Sequence, residues 1–124
     1  MRKYLGLVFA LVGAAALAAS VTATWQHPTQ NTDDSAIPAT GAGSIASTRI
    51  EWGSCNGAAF GTAVGEVVVP APAATTVIPN LGVGTWCARA FSKNTYGAES
   101  DASGVVQKVI AAPKPKPPAN FSIG

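Results

Sequence analysis

The sequence predicts an all-β protein folded as a two-sheet sandwich, and three observations carry that expectation. Short segments rich in Val, Thr, Ile and Trp recur along the chain, clusters of Gly, Pro, Asn or Ser separate them, and no window past the first twenty residues shows a helical apolar stripe. Several short strands with regular turn punctuation pack as a sandwich. The 124 residues suffice for one domain with its own core and not for two.

The first element is not part of that domain. Arg2 and Lys3 precede an apolar run from Tyr4 to Ala16, and small residues follow as Ala16-Leu17-Ala18 and Ala18-Ala19-Ser20. This order of basic, apolar and small-residue regions is that of a secretory signal peptide, assigned to residues 1–19. The alternative is an uncleaved membrane anchor. The run reaches the roughly 20 residues a bilayer requires only if it extends through Ser20 and Thr22 to Ala23, and no basic stop-transfer cluster follows. Membrane contact is expected only in that uncleaved form.

Export changes the charge balance. With Arg2 and Lys3 removed, Arg49, Arg89, Lys93, Lys108, Lys114 and Lys116 balance Asp33, Asp34, Glu51, Glu66, Glu99 and Asp101. A neutral chain without a basic stripe is not built for phosphate backbones, so nucleic acid is not an expected partner.

The domain, residues 20–112, divides into strands at Val21 to Trp25, Thr48 to Trp52, Ala63 to Val69, Thr75 to Ile78, Thr85 to Ser92 and Gly104 to Ile110. Trp25 with Pro28 in "VTATWQHPTQNTDDSAIP", then "TRIEWG", "TTVIPNLGVGTW" and "ARAFSKNTYGAESDAS", together resemble the fibronectin type III domain, an immunoglobulin-like sandwich. The resemblance spans roughly residues 21 to 112. It implies that Trp25 closes the family's strand B, that 48–52 is strand C, and that 85–92 is strand F. An Asn-x-x-Gly-x-x-Ser turn then joins F to G. The segment is also similar to the small type III modules of bacterial and tailed-phage secreted or virion proteins.

The resemblance assigns faces. Trp86, Ala88, Ala90 and Ser92 are expected inside, as are Thr48, Ile50 and Trp52, while Cys87, Arg89, Phe91, Lys93, Arg49, Glu51 and Cys55 are expected outside. Trp25, Trp52 and Trp86 then form a core of large aromatics, with an exposed ligand platform as the alternative. Trp86 stands where the family has a corner tyrosine. An indole donates but does not accept, so the usual corner hydrogen bond is not expected. Strands C and F are antiparallel neighbours in this family, which sets Cys55, past the end of C, beside Cys87. In an exported chain that placement implies a disulfide; free thiols for metal or redox chemistry are the alternative, without a CxxC spacing and with His27 the sole histidine.

The remaining polar residues have modest readings. Arg49, Glu51 and Arg89 suit a cross-strand charge ladder worth about a few tenths of a kcal/mol per pair. Asp33 and Asp34, with Asn31 nearby, suit turn chemistry, the alternative being a calcium loop whose regular ligand spacing is missing. No metal or cofactor is expected. In the turn after 92, Asn94 and Gly97 have structural parts. Tyr96 at the tip has no core task, so with Asn94, Glu99, Asp33 and Asp34 it forms the candidate contact set. One His, no assembled Ser/His/Asp, no paired carboxylates and no phosphate loop leave catalysis unsupported.

Both ends depart from the family. Strand A is missing or very short, because the export segment abuts Val21, and the edge of strand B is left open. Residues 113–124, "PKPKPPANFSIG", begin as a stiff proline-rich linker and end in a segment resembling an opening strand A. Asn120, Phe121 and Ile123 in that segment are candidate strand donors, within the chain or to a neighbour, against the alternative of a structureless tail. Two functions follow. The first is a non-catalytic exported module, secreted or periplasmic, that binds a surface glycan or protein through its loops. The second is a structural or decoration component of a virion or envelope assembly that uses the open edge and tail, with homo-oligomers formed by strand addition.

Overall fold

In the computed structural model, which describes residues 8–12 and 18–124, the chain forms seven strands and two antiparallel sheets packed as an immunoglobulin-like sandwich. The strands are β1 (Val8–Val12), β2 (Ala18–Thr24), β3 (Ile45–Asn56), β4 (Ala59–Pro70), β5 (Thr75–Gly82), β6 (Gly84–Asn94) and β7 (Val106–Ile110). One sheet has the order β1-β2-β5 and the other β4-β3-β6-β7. The assignment to a signal peptide falls partly on residues 1–7 and 13–17, which lie outside the described residues.

Alternation builds the core. Val21 and Ala23 from one sheet meet Ile50, Ala88 and Ala90 from the other, and Ile78, Leu81, Val69 and Ile110 close the layer between them. Trp25 is 6 % exposed, while Trp52 and Trp86 are half-buried against the same cluster. Trp52 lies across Gly65, its register partner on β4, where a Cβ would overlap the indole ring. Only glycine admits that approach.

Four expectations are corrected. The third strand is much longer than 48–52 and forms a hairpin with β4 through a turn at Gly57, where φ is +61°. Cys55 therefore lies within β3 and not past its end. Trp86 does make the corner bond: its Nε1 donates to the Gly82 carbonyl at 2.9 Å, because the bond needs only a donor. The short first strand, finally, is drawn from Val8–Val12, inside the segment read as an export signal, so the edge of β2 is covered here.

The disulfide is formed between Cys55 and Cys87, with Cα atoms 5.2 Å apart. Cys87 faces away from the core yet is fully buried, since the bridge and the neighbouring strands cover it. The β3–β6 ladder ends at the Gly53–Cys87 pair, and β3 slips register against β4 on either side of Gly53. The bridge ties the far end of the hairpin to β6 where backbone pairing stops. Such a bond fits an oxidising, extracellular compartment. Among the described residues no helix is long and apolar enough to cross a membrane.

Candidate binding cleft at the loop end

The β2–β3 and β6–β7 connections meet at one end of the sandwich, and each is folded by its own side chains. In the first, Asp33 Oδ1 accepts hydrogen bonds from the backbone N–H and hydroxyl of Ser35, Asn31 Nδ2 donates to Ser35 Oγ, and Asp34 takes the left-handed conformation at φ +68°. This is Asx-turn chemistry. The two bonds from Ser35 hold the Asp33 carboxyl below the ordinary carboxylate range.

In the second connection Asn94 Oδ1 accepts the N–H groups of both Tyr96 and Ala98, and Gly97 supplies φ +86°. Ser100 and Ser103 then replace a strand partner for β6. The Ser100 hydroxyl accepts from Ser92 N–H and the Ser103 hydroxyl from Ala90 N–H, each at 2.9 Å, and backbone bonds run back to the same two carbonyls. Gly43 N–H donates to Thr95 Oγ1 at 2.7 Å and Thr95 N–H to the Ser44 carbonyl at 3.0 Å, joining the two connections.

Between them lies an open cleft of about 180 Å³. Pro28, Ile37 and Ile45 give it apolar wall, and Asn31, Thr32 and Asn94 with Ser92, Ser100 and Ser103 give it amides and hydroxyls. Ser92 is 5 % exposed, and its hydroxyl has no hydrogen-bond partner among the described residues. Thr48, the register partner of Ser92 on β3, carries a second buried hydroxyl in the same condition. Buried hydroxyls are rarely left so, and this end of the core is where a polar group would be compensated.

Arg49 braces the cleft from the outer sheet face. Its Nε and Nη2 bind the two Glu99 oxygens at 3.1 and 3.0 Å, Nη1 binds Glu51 at 2.6 Å, and the guanidinium lies 4.0 Å over the Phe91 ring. Arg89 binds Glu51 at 2.8 Å and stacks on Phe60. The bonds from Arg49 hold Glu99 below its ordinary value. Burial pushes Glu51 up, but the bonds from Arg89 and Arg49 outweigh it and leave this group low as well. The expected ladder thus reaches further than three residues and includes the second connection.

These contacts sort the candidate residues. Asn94 and Glu99 line the cleft, yet Asn94 is occupied by its turn and Glu99 by Arg49. Asp33 and Asp34 serve the first turn and do not line it. Tyr96 stands outside the cleft at 75 % exposure, with its ring beside Gly43. Ser92, Ser100, Ser103, Asn31 and Ile37 are among the lining residues that sequence reasoning missed. Ser100 closes the Asn-x-x-Gly-x-x-Ser turn motif and Ser92 and Ser103 flank it, and that spacing was the available signal. Among the described residues no group of three or more His, Cys, Asp or Glu side chains is placed to hold a metal ion. Asn120, Phe121 and Ile123 lie in a segment without strand pairing, with Phe121 and Ile123 exposed. No protein-family model matches the chain, and no curated protein matches it.

Proposed function

We propose that this chain is an exported, non-catalytic module similar to the fibronectin type III domain, which binds a neutral, hydroxyl-bearing surface polymer in the loop-end cleft. The sandwich, the Trp86 corner bond and the Asn94 turn support the resemblance. The observation that carries the binding reading is the cleft itself, where amides, hydroxyls and the carboxylates of Glu99 and Asp101 stand beside apolar wall. Its lining holds no lysine or arginine, so a phosphate or uronate finds no counter-charge there, whereas sugar hydroxyls and ring C–H groups find both kinds of partner. A volume below the ~300–1,000 Å³ of drug-sized sites suits one residue of a polymer at a time. Tyr96, exposed beside the loops, supplies an aromatic face for the next residue along.

Binding of purified protein to an array of neutral glycans tests this. Ala98 is exposed and lines the cleft, so Ala98→Trp fills it and is expected to lower affinity at least tenfold with the melting temperature unchanged. Tyr96→Ala is expected to weaken binding about fivefold to tenfold, the loss of roughly one aromatic contact. Full binding by both variants contradicts the assignment. The second reading, an assembly component, is favoured by one observation: Phe121 and Ile123 lie uncommitted in the tail, 78 % and 88 % exposed.

A further inference from the structure

The strand that closes one edge of the sandwich comes from the segment that export would remove. β1 pairs with β2 from Val8 opposite Thr24 to Val12 opposite Ser20, and among the described residues no other strand covers that side of β2. Cleavage after Ala18 or Ser20 takes β1 away and leaves the β1-facing N–H and C=O groups along Val21 to Thr24 without partners, while β5 still pairs the other side of the strand. The inner side chains of that stretch, Val21 and Ala23, are fully buried and hold the strand in place. An edge of this kind is a template for another strand.

The other end of the chain carries a segment of matching length. Residues 119–123 form no strand, and Phe121 and Ile123 are spaced to fall on one face of an extended strand while both are exposed. The tail leaves the domain at a defined place. Ile110 lies opposite Gly84 at the start of β6, and Ala18 lies opposite Gly82, so the tail emerges at the end where β2 begins. To take the place of β1 antiparallel to its own β2, the tail must first run back along the whole sandwich. Four prolines between 113 and 118 stiffen this linker into an extended rod of about 3 Å per residue, some 19 Å in all, which disfavours the two chain reversals that path requires.

We propose that residues 119–123 of one mature molecule add to the vacated β2 edge of a second copy, in the place of β1. The contact is heterologous, tail to edge, so it propagates into linear chains and does not close into a symmetric dimer. The inference rests on export cleavage and on the assembly reading, and not on the cleft.

The test uses protein recovered from an export host, with its N-terminus read by mass spectrometry. Light scattering after size exclusion is expected to show mass growing with concentration for the mature chain. A Phe121→Asp, Ile123→Asp variant is expected to stay monomeric. Hydrogen exchange is expected to show protection of the β1-facing amides within Val21 to Thr24 in the multimers and faster exchange of those amides in the variant. A mature chain that stays monomeric to millimolar concentration overturns the proposal. Multimers that survive both substitutions do so too, as does an N-terminus that still carries Val8 to Val12. Glycan binding by the monomeric variant reports on the cleft separately.

Discussion

Replacing Cys55 and Cys87 together by alanine lowers the melting temperature by about 15–25 °C. The bridge closes a sequence separation of 32 residues, for which chain entropy gives about 3–4 kcal/mol. For a domain of this size each kcal/mol corresponds to roughly 4–8 °C. Position adds a second reason. The β3–β6 ladder stops at Gly53 and Cys87, and beyond that pair β3 continues beside β4 alone, so without the bridge the hairpin end from Ser54 to Thr62 is tied to the rest of its sheet by side-chain contacts, Gln107 Nε2 to the Gly57 carbonyl and Arg89 over the Phe60 ring, and not by backbone pairing. Calorimetry of the double variant, and of the native chain in reductant, measures the effect. A shift under about 5 °C would mean that the bridge adds little to what the sheet already holds.

Gly53→Ala destabilises by about 3 kcal/mol or more, through overlap and not through backbone torsion. A Cβ at this buried position would overlap the Thr62 carbonyl oxygen and lie 2.8 Å from its carbon and 2.9 Å from the Ala63 Cα. All three are backbone atoms, so no side chain can rotate away. β4 must move, at the point where its register with β3 shifts and two positions before the bridged Cys55. Chemical denaturation of Gly53→Ala beside Gly57→Ala separates the causes, since Gly57 has φ +61° and open space around its Cβ position. The loss at Gly57 is expected to be near 1 kcal/mol, the ordinary cost of left-handed backbone. Equal losses would refute the packing argument.

The fold was legible where side chains alternate. Thr48, Ile50 and Trp52 facing in and Arg49 and Glu51 facing out placed β3, because a period of two leaves little freedom once one face is buried, while the disulfide pairing came from the resemblance, which implies that this strand and the one carrying Cys87 are neighbours. The ends of β3 and β4 were not legible. "GSCNGAAFGT" has glycines and small residues that punctuate a chain; Gly57 does turn it, but Gly53 and Gly61 are close-approach positions inside a long hairpin, set by the Thr62 backbone and by Ser54. The first strand was hidden for another reason: an apolar run suits a signal and a β edge equally.

The candidate site was legible only in outline. The loops that meet were identified, but the residues chosen on them were the polar and aromatic tips. Asp33, Asn94 and Glu99 are consumed by holding the loops in shape, which is what short polar side chains at turns most often do. The cleft is lined as well by Ser92, Ser100 and Ser103, whose backbone pairing and burial arise from β6 lacking a strand partner on its β7 side after Ala88. No local pattern encodes that gap, since it depends on where β7 begins.

The central claim is that the loop-end cleft takes a neutral glycan. Amide chemical shifts of nitrogen-15-labelled protein, followed through titration with neutral hexose and N-acetylhexosamine oligosaccharides, test it most directly. The account predicts saturable shifts confined to Asn31, Thr32, Ser92, Asn94, Tyr96 and Ala98 to Ser103, strongly weakened by Ala98→Trp. Shifts centred on the outer face around Arg49, Val68 and Arg89, or none at millimolar ligand across the panel, would contradict it.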